Sequence, residues 1–382
     1  MAAALTALPL GGQVAQAQTW LYTGTDWGTG ANWSGGATPG AGQTATLNSA
    51  VGSQPVIAGN FTIGTVDLSA GTLTINTTRV LTVQTAFNVS NASVVGGGTI
   101  SLGAGSTLTA SGAGAVSIAS IIGGTGAVSI TGSNVTFTGT NSYTGATSIA
   151  SGGVLNIQSA AALGTTAAAT TVASGGALQV QGGITVTEAL TLNGTGIADD
   201  GALRNISGNN TLSGAITLGS ATRINSDSGT LTLSGTKTGT GQALTVGGAG
   251  NVTISTNGIN TSTGGTLAKD GTGTLTISAA GNYTGATAIN AGVVAISNAT
   301  ALGTTAGDTT VASGAALNVS GGITVAEALT LNGAGIASGG ALRNTSGNNT
   351  LSGAITLGSA TRINSDAGTL TLSGTKTGTG QE

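Results

Sequence analysis

The sequence contains no cysteine and no histidine. Without cysteine, the chain cannot form a disulfide and has no thiolate ligand for a metal ion. Without histidine, it lacks the base of Ser-His-Asp and Cys-His nucleophilic sites, the imidazole metal ligand and the usual general base near neutral pH. These two absences exclude those classes of active site.

Charged and aromatic side chains are also scarce. Charged residues make up 5% of the chain, against about 25% in ordinary soluble domains. The eight lysines and arginines form no cluster and the net charge is −3, so binding of nucleic acid, which needs several neighbouring cations, is not predicted. No run of about 18 apolar residues occurs, and therefore no transmembrane helix is predicted.

Glycine and alternating apolar residues dominate what is present. The chain has 70 glycines among 382 residues, and 39% of its residues are apolar. Leu275 and Ile277 alternate with threonines, and Val294 and Ile296 repeat this pattern 19 residues later. A period of two indicates a strand with one buried side. An in-phase return after glycine-containing turns favours a chain that winds in coils.

The same stretch resembles a known repeat. It reads Lys-Asp-Gly-Thr-Gly-Thr-Leu-Thr-Ile from Lys269, Asn-Tyr-Thr-Gly-Ala-Thr from Asn282 and Asn-Ala-Gly-Val-Val-Ala-Ile from Asn290. A second copy at 133–157 lacks the lysine and the Gly-Thr-Gly-Thr opening. Both are similar to the passenger-associated transport repeat, an autotransporter-associated β-strand repeat of bacterial autotransporter passengers. The resemblance implies a right-handed parallel β-helix, export through the outer membrane and a C-terminal outer-membrane barrel as partner. It brings no catalytic residue.

A long internal duplication supports the solenoid independently. The Tyr-Thr-Gly-Ala-Thr segment at Tyr143 recurs at Tyr283, and 202–242 matches 341–381 with two differences. Duplications are tolerated where each unit contacts only its neighbours. Coils of ~20 residues predict roughly 18 turns and a rod of roughly 85 Å. A strand follows Gln242 but only Glu382 follows Gln381, so we expect the chain to be a fragment of a longer protein or to end prematurely.

We predict an all-β fold, a right-handed parallel β-helix with an N-terminal aromatic-rich cap. The small-x-small pattern at 15–17 suggests a cleaved signal; a frayed apolar terminus is the alternative. The segment 18–59 contains Trp20, Tyr22, Trp27 and Trp33. We interpret it as a cap with the three tryptophans as its core, the alternative being an aromatic platform for sugars. The predicted segments are a signal peptide remnant at 1–17, the cap at 18–59, β-helix at 60–132, β-helix repeat unit 1 at 133–271 and a truncated repeat unit 2 at 272–382.

Carboxylates are the remaining candidates for chemistry. Asp199 and Asp200 are adjacent, but Ser338 and Gly339 replace them in the second copy, which favours a solvated turn. The segment 225–229 offers oxygen ligands near a glycine yet falls short of the calcium-binding nonapeptide of some β-helices. We therefore predict no catalytic, cofactor-binding or metal-binding residue. Other charges that recur are interpreted as turn charges or surface ion pairs: Glu188 and Glu327, Arg204 and Arg343, Arg223 and Arg362, Asp227 and Asp366, Lys237 and Lys376.

The predicted function is that of an exported autotransporter passenger, a structural β-helical stalk with an adhesive or self-associating role. We expect it at the cell surface, in the outer membrane or outside a Gram-negative bacterium, with host surfaces, abiotic surfaces or identical rods as partners. The alternatives are a β-helix enzyme acting on polysaccharide and a secreted structural rod with a separate exporter. A third alternative is an ice-type binder, because Thr-x-Thr pairs occur at Thr72, Thr107, Thr230, Thr274 and Thr369. Their irregular spacing predicts no flat regular array.

Overall fold

The alternating segments form parallel strands stacked coil upon coil. The structure is a computed structural model and describes residues 16–378. It is an all-β, parallel β-solenoid of about 16 turns, which confirms the predicted fold class. The predicted signal peptide remnant at 1–17 lies outside the described residues except for Gln16 and Ala17, and so does the expected break after Gln381.

The strands are short because each coil turns several corners. The first part of the chain contains β1 (Ala17–Thr19), β2 (Thr44–Leu47), β3 (Val56–Ile57), β4 (Phe61–Leu68), β5 (Gly71–Ile75), β6 (Val80–Val89), β7 (Ala92–Val95), β8 (Thr99–Leu102), β9 (Thr107–Ser111), β10 (Ala115–Ile118), β11 (Ile121–Gly124) and β12 (Ala127–Thr131). The next part contains β13 (Asn134–Phe137), β14 (Thr147–Ile149), β15 (Val154–Ile157), β16 (Thr170–Val172), β17 (Ala177–Gln181), β18 (Thr185–Val186), β19 (Leu190–Gly194), β20 (Leu203–Ser207), β21 (Asn209–Leu212), β22 (Ile216–Ser226), β23 (Thr230–Leu233), β24 (Lys237–Thr238), β25 (Ala243–Gly247), β26 (Asn251–Ile254), β27 (Ile259–Asn260) and β28 (Thr266–Lys269). The last part contains β29 (Thr274–Ile277), β30 (Thr287–Ile289), β31 (Val293–Ile296), β32 (Thr309–Val311), β33 (Ala316–Val319), β34 (Thr324–Val325), β35 (Leu329–Gly333), β36 (Leu342–Asn344), β37 (Asn349–Leu351), β38 (Ile355–Thr361), β39 (Ile363–Ser365), β40 (Leu370–Leu372) and β41 (Lys376–Thr377). Single 3₁₀ turns occur at Gly30–Asn32, Ile197–Asp199 and Ile336–Ser338.

Each coil has three faces, which we number in the order the chain visits them. Face 1 contains β2, β9, β12, β14, β16, β19, β24 and β27. Face 2 contains β3, β5, β7, β10, β13, β15, β17, β20, β25, β28, β30, β32, β35, β38 and β41. Face 3 contains β8, β11, β18, β21, β23, β26, β29, β31, β33, β36 and β39. β4 and β6 bend from face 3 onto face 1, and β22 bends from face 1 onto face 2. In the last turns β34, β37 and β40 pair with one another on face 1.

The coil length varies although the register between coils is kept. Thr274 pairs with Val293, 19 residues on, as the sequence spacing predicted. Ala17 pairs with Thr44, 27 residues on. The additional residues bulge out at corners between strands, so they do not disturb the pairing. Because most coils are longer than the 19-residue spacing, the described chain makes about 16 turns and not the roughly 18 that coils of ~20 residues predict.

The core is a set of apolar files that run along the axis. Ile254, Ile277, Ile296 and Val319 stack one above the other on face 3, and each is at most 1% exposed. Burying a side chain of this size contributes about 1.5–3 kcal/mol. Since each residue contacts mainly the coils next to it, this stabilisation accumulates along the rod.

The aromatic residues near the N-terminus pack against the first described coils. Trp20, Trp27 and Trp33 are at most 1% exposed. The ring of Trp33 lies edge-on to those of Trp20 and Trp27, with centroids 4.9 and 4.7 Å apart, and Phe61 lies 6.3 Å from Trp27. An aromatic platform for sugars requires exposed ring faces, so burial of the three tryptophans favours a packed cap. The exact cap boundaries, 18–59, stay a prediction.

The two copies of the duplicated unit are displaced by one face. Thr147 lies on face 1, where successive coils pass through Thr170, Leu190, Ile216, Lys237, Ile259 and Asn282. Its counterpart Thr287 pairs with Leu267 on face 2. The unit therefore spans six coils and one further face. The same side chains recur on the next side of the rod, and the solenoid accepts this because all its faces bury alternate residues in the same way.

Candidate functional site

The adjacent aspartates lie in an exposed loop between β19 and β20. Thr195 Oγ1 donates to Asp199 Oδ1 over 2.5 Å, and Arg204 Nη1 donates to Asp200 Oδ2 over 2.9 Å. Ala198 and Asp199 both adopt left-handed backbone conformations, with φ of 52° and 61°. The two carboxylates are thus exposed at the tip of a surface turn and accept hydrogen bonds from neighbouring donors.

The segment 225–229, considered for calcium, has its carboxylate engaged by protein donors. Asp227 Oδ2 accepts from Arg204 Nε over 2.8 Å, and Asp227 Oδ1 accepts from Asn225 Nδ2 over 2.8 Å. Among residues 16–378 no group of three or more acidic side chains is placed to hold a metal ion. The arrangement acts as an ion-pair link between coils.

This link belongs to a longer network that fastens four successive coils. Arg223 forms two parallel hydrogen bonds to Asp270, of 2.7 and 2.8 Å, although the two residues are 47 positions apart. The pair spans the coil of Gly247, where a Cβ atom would overlap both the guanidinium and the carboxylate. Bidentate arginine–carboxylate pairs are the more favourable class of surface ion pair. The network therefore strengthens the stack at the junction between the two repeat units.

A shallow groove lies on face 1. Its lining includes Asp67, Ser69, Asn88 and Ser90. Asp67 is the one carboxylate in this lining, and its Oδ1 accepts a 2.7 Å hydrogen bond from Asn88 Nδ2. Glycoside hydrolysis by the common mechanisms uses two carboxylates, so we assign no catalytic role to the groove.

The Tyr-Thr-Gly-Ala-Thr segment of each copy builds a buried polar pair. The hydroxyls of Tyr143 and Thr147 lie 2.7 Å apart, and those of Tyr283 and Thr287 lie 2.8 Å apart. Thr287 Oγ1 donates to Leu302 O, so Tyr283 Oη is the donor to Thr287. Burial raises the pKa of both tyrosines well above its usual range. The spacing of four residues between the tyrosine and the threonine is what brings the two hydroxyls together.

The glycine of the same segment is required by the coil beneath it. A Cβ atom at Gly145 would overlap the carbonyl oxygen of Gly126, and one at Gly285 would approach that of Gly265. Gly273, in the Gly-Thr-Gly opening, stands in the same way over the carbonyl of Gly250. Only glycine allows the backbones to come this close, which explains why the repeat needs this residue here.

Two coils further on, each copy buries a glutamate. Thr170 Oγ1 donates to Glu188 Oε1 over 3.5 Å, and Thr309 Oγ1 donates to Glu327 Oε1 over 2.5 Å. Both glutamates are 4% exposed. Burial raises the pKa of Glu188 to about 7 and that of Glu327 to about 8, with the threonine hydrogen bonds acting in the opposite direction. Desolvation disfavours the charged carboxylate, so the interior holds these groups most easily as neutral acids.

Two lysines are also inside the solenoid. Lys237 Nζ donates to the carbonyls of Leu233 and Gly235, and Lys269 Nζ donates to those of Asp270 and Gly271. Burial lowers the pKa of each lysine to about 8. The lysine at the start of the repeat therefore closes its own Asp-Gly turn from the inside.

The interpretation of the recurring charges as surface groups is correct for some and wrong for others. Arg204 and Arg343 do form surface ion pairs with Asp227 and Asp366. Glu188, Glu327 and Lys237 are buried instead, because they occupy inward positions of the alternation. The signal was available in the sequence. Glu188 lies an even number of residues from Val186, Leu190 and Leu192, so it falls on the same side of the alternation as these core residues.

Threonines form a regular file on face 3, which the irregular sequence spacing did not predict. The pairing places Thr185, Thr211, Thr232, Thr253 and Thr276 one above the other. Adjacent parallel strands lie about 4.8 Å apart, so the hydroxyls repeat at that interval. Register between coils, and not distance along the chain, determines this array. The five Thr-x-Thr pairs themselves are distributed over several faces, and Asn251 separates Thr230 from Thr274.

Comparison with known proteins identifies the repeat. The family model of the passenger-associated-transport-repeat matches residues 123–157 and 267–296. The chain matched no curated protein and no solved structure. No helix in residues 16–378 is long and apolar enough to cross a membrane.

The two matched regions coincide with the features described above. They include the buried Tyr143–Thr147 and Tyr283–Thr287 pairs and the internal Lys269. The chain thus carries two such repeats within a continuous β-solenoid. Repeat and fold together support an autotransporter passenger stalk.

Proposed function

We propose that this chain is the stalk of an exported autotransporter passenger, displayed at the surface of a Gram-negative bacterium, where it holds cells to surfaces or to one another. The repeat family implies both export and a separate outer-membrane barrel as its partner. A rod whose stability accumulates coil by coil suits this role, because each coil can stack on the preceding one as the chain emerges.

The observation that carries the adhesive part is the threonine file of face 3. Five hydroxyls repeat at about 4.8 Å on a nearly uncharged surface. A hydroxyl array of this kind makes weak contacts that become effective only in numbers. The chemistry fits hydroxyl-rich or hydrated surfaces better than a single tightly bound ligand.

Surface display tests the proposal. The full chain is fused to an outer-membrane barrel in a Gram-negative host, and cells with the barrel alone serve as the reference. We expect surface protease to release the rod, and the displaying cells to attach to hydrated surfaces or to clump more than the reference. Intact rods retained inside the cell would contradict the stalk, and attachment and clumping equal to the reference would contradict the adhesive role.

A matched pair of variants tests the threonine file itself. Thr232→Lys with Thr253→Lys interrupts the file, whereas Thr171→Lys with Thr191→Lys places the same charges on face 1. We expect the first variant to lose attachment and the second to retain it. Equal attachment by both would remove face 3 from the proposal.

A further inference from the structure

Each repeat unit carries one exposed apolar side chain on a strained loop. Among residues 16–378 the exposed large apolar side chains are Leu21 and Val51 in the cap and Ile197 and Ile336 in the two units. Ile336 begins a turn in which Ala337 and Ser338 have φ of 47° and 58°, matching Ala198 and Asp199. Left-handed conformations at successive non-glycine residues cost about 1–3 kcal/mol each. Both copies thus retain a costly turn that presents isoleucine to solvent.

The two loops differ in charge. Residues 197–227 contain three aspartates and two arginines, whereas the equivalent 336–366 contain one aspartate and two arginines. Ser338 and Gly339 stand where the first copy has Asp199 and Asp200. The first stretch is therefore net negative and the second net positive.

The missing carboxylates leave room beside an arginine. Arg343 Nε pairs with Asp366, and its side chain is 43% exposed. A Cβ atom placed on Gly339 would lie 3.7 Å from Arg343 Nη1. In the first copy the corresponding space holds Asp200, which binds Arg204 Nη1. The second copy can accept a carboxylate at this point from outside.

We propose that the loop 195–201 of one molecule docks on the loop 334–340 of a second copy of this chain. Ile197 then packs against Ile336, and the carboxylate of Asp199 meets the guanidinium of Arg343. An apolar centre surrounded by charged groups is typical of protein–protein contacts. The contact deepens the proposed function, because it supplies a specific route for rods to associate, and it rests on that function for its biological setting.

The displacement by one face determines what assembly results. The first loop joins β19 on face 1 to β20 on face 2, whereas the second joins β35 on face 2 to β36 on face 3. The two docking loops therefore project from different edges of the rod. Because the contact joins two different loops, it is heterologous, and a molecule bound through one loop keeps the other free for a further neighbour. Each rod binds one neighbour through its first loop and another through its second.

Sedimentation velocity and negative-stain microscopy of the purified full chain test this inference. We expect a ladder of species that grows with concentration and shrinks at high salt, because part of the contact is ionic. Asp199→Ser with Asp200→Gly gives residues 197–201 of the first loop the sequence of 336–340 in the second. It should raise the concentration needed for assembly about tenfold or more. Val51→Ser, which removes an exposed apolar residue of the cap, should leave assembly unchanged.

A charge-exchange experiment makes the test specific. Arg343→Asp alone and Asp199→Arg alone should each assemble poorly, and mixing the two proteins should restore association, because the mixture recreates opposite charges across the contact. Far-UV circular dichroism verifies that each variant remains folded. A monomer at all concentrations, a closed dimer, or assembly that is insensitive to these substitutions would overturn the inference. Surface attachment that persists in a monomeric rod would leave the proposed adhesive function standing without this contact.

Discussion

The buried glutamates predict that the rod loses stability as the pH rises from 5 to 8. The folded-state pKa is about 7 for Glu188 and about 8 for Glu327, both raised by burial from an ordinary value of 4.5. A raised pKa means that the folded state binds the proton more tightly than the unfolded state. The stabilisation is therefore complete below pH 4.5 and is lost as the pH rises through the folded-state values.

The size of the loss follows from the same values. Between pH 5 and pH 8 the linkage relation gives about 2–3 kcal/mol for Glu188 and about 3–4 kcal/mol for Glu327. The buried lysines act in a different range. Their folded-state pKa of about 8 lies below the ordinary 10.5, so they add stability only as the pH rises from 8 towards 10.5. Measurements at pH 5 and pH 8 therefore report mainly on the glutamates, since the lysines reach half-titration only at the upper of these values.

Denaturant unfolding and hydrogen exchange at these two pH values provide the assay. Glu327→Gln keeps an acceptor for Thr309 Oγ1 and removes the charge, so it should match the parent at pH 5 and exceed it in stability at pH 8. Asp199→Asn neutralises an exposed carboxylate and serves as the control. Exchange should increase most in the coils around residues 309–331. If stability is the same at both pH values, or if Glu327→Gln leaves the pH dependence unchanged, the buried-acid reasoning is refuted.

Three substitutions test the packing of the second repeat. Ile277→Ala, at a fully buried position of the face 3 file, should cost about 2–5 kcal/mol in the free energy of denaturant unfolding; a cost below 1 kcal/mol would show that the file is loosely packed. Tyr283→Phe removes the donor to Thr287 and should cost about 1–2 kcal/mol, measured by the same unfolding; no change would mean that the hydroxyl is not buried. Gly273→Ala forces a Cβ atom against Gly250 O and should lower the melting temperature, whereas Gly40→Ala, whose nearest neighbour would be 3.8 Å away, should not.

The sequence predicts the strands and the stacking well because a period of two has one structural meaning in a buried sheet. Leu275 pairs with Val294 and Ile277 with Ile296, as the 19-residue spacing indicated. The passenger-associated transport repeat was recognised from the same residues. Coil length was less predictable, because residues such as 195–201 leave the coil at a corner without a periodic signal.

The polar interior shows where sequence reasoning was incomplete. Charged residues are almost never buried without a partner, so residue type alone favours a surface position for Glu188 and Lys237. Their parity in the alternation assigns them to the core, and the structure agrees with the parity. The threonine file could not be predicted from the spacing of threonines in the sequence. It depends on the number of residues in the corner loops, which differs from coil to coil.

Because the faces are equivalent, we predict that a whole repeat unit can be deleted. Removing residues 147–286 joins Ala146 to Thr287 and restores an intact Tyr-Thr-Gly-Ala-Thr segment. Thr287 then takes the place of Thr147 beside Val128, and β31 takes that of β15 beside β13. Every inward position meets an inward position, although the downstream rod has turned by one face. We expect this variant to fold, with a denaturant m-value reduced roughly in proportion to the surface it no longer buries.

The matched control removes one residue more. Deleting 147–287 joins Ala146 to Ala288 and shifts the alternation by one, so that apolar side chains at the junction point outward and threonines point inward. This variant should lose the cooperative unfolding of the coils after the junction, with far-UV circular dichroism and proteolysis reporting the loss. If both deletions fold equally well, the inward files do not determine the register. If neither folds, the faces are not equivalent, and the displacement between the two units must depend on contacts specific to each side of the rod.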